Sequence, residues 1–189
     1  MELRPEYPIT TERLRLRPLT TADADALLTY RSRPDVCRYL PFEPMTSEVI
    51  QGRLRTDMSR TAITVEGQGL NLGVELIETG ELIGDVVLFF RSEEFRGGEL
   101  GYVFHPDAAG HGYATEAASV MLDLAFHQFG LHRVIARLDA DNHASASLAA
   151  RLGLRKEAHF VKNEIFKGRW ADELVYAILS DEWRPRGRS

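Results

Sequence analysis

The sequence of 189 residues has one cysteine, no excess of positive charge, and no apolar run of membrane-spanning length. A single thiol, Cys37, builds neither a disulfide framework nor a thiolate metal cluster, so zinc ribbons and disulfide-rich scaffolds are excluded and the chain reads as intracellular. Six histidines are scattered with no H-x-x-x-H or comparable ligand pair, and no metal site is expected. Lys and Arg number 23 against 28 Asp and Glu, for a net charge of -5. Sequence-independent affinity for phosphate polymers comes from clustered Lys and Arg that displace counterions, so nucleic acid is not an expected partner. A membrane helix needs about 20 consecutive apolar residues, and the opening MELRPEYPITTERLRLRP lacks the apolar core of a signal peptide. A cytoplasmic protein without membrane contact is expected. What the chain does have is 44% hydrophobic residues, enough for one core at this length. A single domain over 1–189 follows, with its core at about 10–183 and a frayed basic tail at 184–189.

Periodicity divides the chain into three parts. Leu14 and Leu16 alternate with Arg13, Arg15 and Arg17, which predicts a strand over 12–19. Thr20 or Thr21 then caps a helix to about Ser32, with Ala24, Leu27 and Leu28 on one face and Asp23 and Asp25 near its positive end. Pro34, Pro41 and Pro44 interrupt the next stretch, and Ile50, Leu54 and Met58 follow Thr46 at helical spacing, so 33–59 reads as two short helices and loops. Apolar runs at 61–66, 70–77, 82–90 and 99–104 predict antiparallel strands. Beyond them Ala114, Ala118, Met121, Leu122, Ala125 and Phe129 form one helical face stopped by Gly130. A strand at 131–139, a helix at 144–152 capped by Asn142 and ended by Gly153, and a hairpin of 154–166 with 170–179 around Lys167-Gly168 complete an α/β chain.

Two segments carry chemistry. In Glu99–Ala117 a strand runs into a loop with Gly110 and Gly112 and then into a helix. Residues without Cβ let the loop curl until its amides converge, and the unsatisfied amides of the helix point the same way, so a diphosphate is held there without a lysine. Alone, the same glycines also suit a plain strand-to-helix turn. No G-x-x-x-x-G-K-[ST] is present, and the dinucleotide pattern G-x-G-x-x-G fails at Thr115. The second segment, Asp141–Leu154, holds Asn142 and Ser145, either of which by itself is a helix cap.

Together, in this order and spacing, the two segments resemble the GNAT superfamily of acyl-CoA N-acyltransferases. The family's Q/R-x-x-G-x-G/A motif falls on Ala109, Gly110, His111, Gly112, Tyr113 and Ala114, with Ala109 departing at the first position. Its later N-x-x-S and G-[FL] pattern falls on Asn142, Ser145, Gly153 and Leu154. The opening TERLRLRPLTTADAD, the extension GYATEA and the ending KGRWADELVYAILSDEW resemble the Rim type, named for ribosomal-protein N-terminal acetyltransferases. The resemblance implies a mixed, mostly antiparallel sheet with flanking helices, splayed between the fourth and fifth strands, and acetyl-CoA as co-substrate with no metal. It implies cofactor contacts from Tyr102, Val103, Phe104, Ala109–Thr115, Asn142 and Ser145, and direct transfer of acetyl to a primary amine in a ternary complex.

Within that frame Glu99 matches the family's carboxylate base, against a plain reading as a solvated strand-end acid. An amine is largely protonated near pH 7, so some group must take its proton. The amide of Phe104 or Val103 is expected to meet the oxyanion. Many relatives protonate the departing thiolate with a tyrosine four residues after the motif serine; here that position is Ala149, which leaves Ser145 or a water, with Ser145 as a cap alone as the rival. Glu116 reads as a structural acid at the helix dipole. His111 is expected near phosphate, and Arg151, Arg155 and Lys156 either near the nucleotide end of CoA or solvated. Cys37 reads as a half-buried thiol, and Trp170 and Asp172 as hairpin supports. The acceptor, a protein N-terminal α-amine or a small-molecule amine, is expected between 33–59 and the final hairpin, in a monomer or a homodimer. A non-catalytic acyl-CoA sensor is the alternative that Ala109 and Ala149 motivate.

Overall fold

The computed structural model describes residues 1–184. Eight strands form one sheet in the order β1-β2-β3-β4-β5-β6-β8-β7. They are β1 (Ile9–Thr10), β2 (Leu14–Pro18), β3 (Gly69–Leu76), β4 (Leu82–Ser92), β5 (Gly97–Phe104), β6 (Arg133–Asp139), β7 (Arg155–Phe166) and β8 (Arg169–Leu179). Neighbours run antiparallel except β5 and β6. The helices are α1 (Ala24–Arg31), α2 (Pro34–Cys37), α3 (Ser47–Leu54), α4 (Tyr113–Asp123) and α5 (His143–Arg151). Side chains alternate between the two faces of a strand. Accordingly Leu100 joins a core with Met121 and Leu122 of α4, while Val103 joins another with Leu27, Ile50 and Leu54 of α1 and α3. Among the described residues no helix is long and apolar enough to cross a membrane.

The parallel junction positions everything that follows. β5 and β6 are paired only at Gly97–Arg133, Gly98–Val134 and Glu99–Ile135. Past Glu99, β5 stays with β4 as far as Phe104, and β6 stays with β8 as far as Asp139. The sheet is therefore open on one side of β5 from Leu100 onward. The expected splay between a fourth and a fifth strand falls between β5 and β6, because the short β1 adds one strand at the start.

Several expectations change. The run at 61–66 is no strand: only Leu3 and Ile63 form an isolated bridge. The Gln68 side-chain oxygen accepts from the Thr64 and Val65 amides at 2.8 and 3.4 Å, so a local turn takes donors that a ladder would need. The long helix is regular only to Asp123; Leu124–Gln128 widens into a π turn, closed by the Phe129 amide on the Leu124 carbonyl at 2.8 Å, before Gly130 at φ 72°. Met58 lies beyond α3 yet is fully buried. Cys37 is buried rather than half-buried, its thiol donating to the Arg31 carbonyl at 3.3 Å. Glu99 is the third residue of β5, not its first. The expected frayed tail, Arg184 apart, lies outside the described residues; Arg184 bonds the Asp181 and Trp183 carbonyls.

Candidate active site

Two cavities meet at the opening between β5 and β6. The larger, about 720 Å³, is lined by Phe104, Ala109, Gly110, Gly112–Thr115 and Arg151. The smaller, about 360 Å³, is lined by Glu99, Arg91, Arg137, Glu164 and Glu173 among others. Tyr39, Leu40, Tyr102, Val103, Asn142 and Ser145 line both. Most of the expected site thus converges on one cleft, with Glu99 in the smaller chamber and the glycine loop in the larger.

Gly110 and Gly112 sit at φ 81° and 80°, the left-handed region that residues with a Cβ rarely occupy. Gly112 is the N-cap of α4 and provides no side-chain acceptor, so the first-turn amides of Tyr113, Ala114 and Thr115 face the cavity without a cap. A Cβ at Gly110 would meet no protein atom within 4 Å. A helix N-terminus of this kind carries about half a positive charge, which fits a diphosphate and hence the CoA expected there. Turn bonds from the Ala108 and Ala109 amides to the His105 and Pro106 carbonyls shape the start of the loop, and its glycine end is held from outside. Arg13, just before β2, donates to the Glu116 carboxylate from Nε at 2.8 Å and Nη2 at 2.6 Å and to the His111 carbonyl at 2.9 Å, and its guanidinium lies 4.7 Å over the Tyr113 ring. Thr11 adds a hydroxyl bond to Glu116 at 2.5 Å.

Burial pushes the Glu116 carboxyl up, but bonds from Thr11 and Arg13 outweigh it and hold it below the ordinary value. A carboxyl held below its unfolded value, about 4.3, stabilises the clamp fully above that pH, and the contribution is lost as pH falls through the folded value. Glu116 is structural, as expected, but it serves the loop more than the helix dipole. Arg13→Ala is expected to weaken acetyl-CoA about fivefold, or ~1 kcal/mol for charge-assisted bonds to a half-exposed arginine. Calorimetric titration at pH 7 checks this. The difference between Arg13→Ala and the wild type should persist through the ordinary carboxylate range and shrink only as pH falls through the lowered folded value and the clamp protonates.

Some expected residues fall elsewhere. The His111 ring stacks on Tyr113 at 5.4 Å and lines neither cavity; only its carbonyl takes part, in the Arg13 clamp. Arg155 is engaged by Glu157 and Glu182, and neither it nor Lys156 lines the cleft. Arg151 does line it, with Nε 3.4 Å from the Thr115 hydroxyl. Asn142 caps α5 by accepting from the Ser145 amide at 3.1 Å. Ala149 is packed in the core. The Tyr102 phenol donates to the Ser145 carbonyl at 3.3 Å, and burial pushes its pKa up, so it is protonated at neutral pH. Glu99 accepts from Arg91 Nε at 2.8 Å. Asp172 braces the hairpin, accepting from the Lys162 amide at 2.9 Å and contacting His159 Nε2 at 2.7 Å, while Trp170 is 60% exposed.

The two amides proposed for an oxyanion separate by geometry. The His105 amide donates to the Ile83 carbonyl of the β4 side at 2.8 Å. Alternation along an antiparallel strand then turns the Val103 amide to β4 and those of Tyr102 and Phe104 to the open side. Val103 is thereby removed as an amide donor, and Phe104 keeps its place.

Residues 13–155 match the family profile described as Acetyltransferase (GNAT) domain. The Uncharacterized N-acetyltransferase YnaD of Bacillus subtilis is 33% identical over 177 residues, covering 93% of this chain and 98% of the relative. The [Ribosomal protein uS5]-alanine N-acetyltransferase of Escherichia coli is 27% identical, covering 96% and 95%. The crystal structure of an acetyltransferase (GNAT family) from Bacillus anthracis matches with a TM-score of 0.83 at 33% identity, covering 92% of this chain and 99% of that one. A family match over more than half of the chain, on a sheet parted beside an uncapped glycine loop, makes this protein a member of the GNAT acetyltransferase family.

Proposed function

We propose that the protein moves acetyl from acetyl-CoA to a primary amine by direct attack in a ternary complex. The observation that carries this is the meeting of the two cavities at Tyr102, Val103, Asn142 and Ser145, where β5 leaves β6. A diphosphate on the loop of Gly110 and Gly112 directs the thioester into the opening, and the amine reaches it from the chamber of Glu99. The amine nitrogen bonds the thioester carbon, the Phe104 amide stabilises the oxyanion, and the carbon–sulfur bond then breaks. Glu99 takes the amine proton, directly or through water. The thiolate receives a proton from the Ser145 hydroxyl or the Tyr102 phenol, since Ala149 has none to give.

Acceptor charge has its own support. The smaller chamber carries Glu99, Asp139, Glu164 and Glu173 against Arg91 and Arg137, a balance that favours a cationic amine before it loses its proton. A protein N-terminal α-amine is the leading acceptor, in keeping with the alanine named for the Escherichia coli relative.

Thermal unfolding with acetyl-CoA, free CoA and NAD tests the first half, since a ligand at about 100 times its Kd stabilises by roughly 2.7 kcal/mol. Stabilisation by both CoA compounds and not by NAD is expected; no shift at millimolar acetyl-CoA removes the proposal. Thiol release with a peptide of free N-terminal alanine and with spermidine tests the second half. Glu99→Gln is expected to lower kcat by about 100-fold with the acetyl-CoA KM nearly unchanged, the usual lower range for a lost base. Unchanged turnover would return Glu99 to an ion-paired strand residue.

A further inference from the structure

The segment that closes the smaller chamber opposite the sheet comes from the 33–59 region. Pro41 and Phe42 line it alone, Tyr39 and Leu40 line it and the larger cavity, and the β7–β8 hairpin contributes Glu164 and Phe166. Phe42 also has the buried Arg31 guanidinium 5.2 Å from its ring. Few bonds tie this roof down. α2 is a single turn of four residues, and three prolines at 34, 41 and 44 deprive the stretch of amides for regular structure. The Leu40 amide reaches back to the Cys37 carbonyl, and the Met45 amide to the Arg31 carbonyl.

One tie arrives from 130 residues away. Lys167 stands at the tip of the hairpin, in the two-residue turn between β7 and β8. Its ammonium donates to the Cys37 carbonyl at 2.7 Å and to the Phe42 carbonyl at 2.9 Å, with Glu43 at 3.7 Å. The two carbonyls bracket Tyr39, Leu40 and Pro41, so one cation spans both ends of the roof. Charge-assisted bonds to carbonyls are the stronger sort. The same turn is joined to Phe166 and Glu164 on the opposite wall.

We infer that Lys167 is the positioning residue of the acceptor chamber, a latch from hairpin tip to roof that sets how the amine is held and reaches the acetyl-CoA side only through Tyr39 and Leu40, which both cavities share. Its hydrogen bonds and ion pair among the described residues go to Cys37, Phe42 and Glu43, not to the glycine loop or α4. The inference rests on the chamber being the acceptor site, as proposed above. It needs no chemistry from Lys167, whose ammonium touches neither reacting group.

The chain carries its own probe. Cys37 is the one cysteine, it is fully buried, and its own carbonyl is a latch acceptor. Burial raises its thiol pKa, and the nearby Lys167 charge lowers it. Deleting that charge therefore slows a thiolate-directed reagent by electrostatics alone, and any acceleration reports exposure.

The test compares wild type, Lys167→Met and Lys167→Arg. The rate of Cys37 labelling by a disulfide reagent is measured with the native protein, and steady-state kinetics with whichever of the alanine peptide or spermidine the wild type uses. Lys167→Met is expected to label at least tenfold faster and to raise the acceptor KM at least fivefold, with kcat and the acetyl-CoA KM within twofold. Lys167→Arg, which keeps donors, is expected to recover most of both. Unchanged labelling overturns the latch. So does faster labelling with an unchanged acceptor KM, or an equal rise in both KM values, which is what general loosening produces. If wild type turns over neither amine, the proposed acceptor reading fails, and labelling still decides whether Lys167 holds the roof.

Discussion

Gly110→Asp is expected to abolish measurable acetyl-CoA binding while the protein stays folded. The position is exposed and lines the larger cavity, and an added Cβ there meets no protein atom within 4 Å, so the carboxylate has room to lie on the ligand's side. A carboxylate about 5 Å from a phosphate costs roughly 3 kcal/mol at an effective dielectric constant of ~20, and two phosphates are affected. The Kd should therefore rise more than 100-fold in calorimetric titration. Backbone strain at φ 81° adds a smaller cost to the fold, and aspartate is among the side chains that best tolerate it. Gly110→Ala separates the two effects, since it brings the strain without the charge and should stay within about tenfold of wild type. If Gly110→Asp binds as tightly as wild type, the diphosphate is not on this loop.

The largest loss of stability is expected from Asp85→Ala. Asp85 stands in β4, 1% exposed, and faces Arg31 of α1, which is 4% exposed. It accepts from the Tyr30 hydroxyl at 2.7 Å, from Arg31 Nε at 3.1 Å and from Asn71 Nδ2 at 3.4 Å. Arg31 Nη1 is buried without a hydrogen-bond partner among the described residues even so. Removing the carboxylate leaves a guanidinium, a phenol and an amide uncompensated in the interior, a change worth about 3–5 kcal/mol. The melting temperature should fall by about 10 °C or more for a chain of this size. Replacing both charged partners together, Arg31→Met with Asp85→Leu, should restore much of the loss, because the penalty comes from the unpaired charge more than from the missing attraction. A loss below 1 kcal/mol in Asp85→Ala would mean that water reaches Arg31. Asp85 is also the register partner of Val103, so the variant should weaken the cleft along with the core.

Local periodicity carries what the sequence makes legible. The stripe from Ala114 through Phe129 locates α4, the alternation of Leu14 and Leu16 locates β2, and Lys167-Gly168 locates the last turn. The glycine loop and Asn142 were readable because their roles lie in the backbone within a few residues. Where a side chain captures local amides, periodicity misleads: Gln68 holds the Thr64 and Val65 amides, and an apolar run of strand character fails to pair. The π turn after Asp123 is invisible because it preserves the apolar face while adding a residue to the turn. What decides the cleft is mostly longer in range. Arg13 meets Glu116 across 103 residues, and Lys167 meets Cys37 across 130. Neither pair has a local pattern: alone, Arg13 reads as the polar face of a strand, Glu116 as an acid at a helix dipole, Cys37 as a half-buried thiol and Lys167 as a turn residue. The split between Val103 and Phe104 needed the direction of a single hydrogen bond.

The narrow junction of β5 and β6 has a mechanical side. Eight strands share one sheet, yet three residue pairs join the plate that ends at β5 to the plate that begins at β6. The crack opens on the far side of Glu99 from that neck, while a shared core of Leu100, Met121, Val134 and Ala136 packs beside it. Amides along the crack, those of Tyr102 and Phe104, have no ladder partner and should exchange with solvent deuterium early, ahead of the β3–β4 interior. An extended molecule seated in the crack that supplied acceptors to those amides would work as a stitch, slowing their exchange and coupling the two plates into one body.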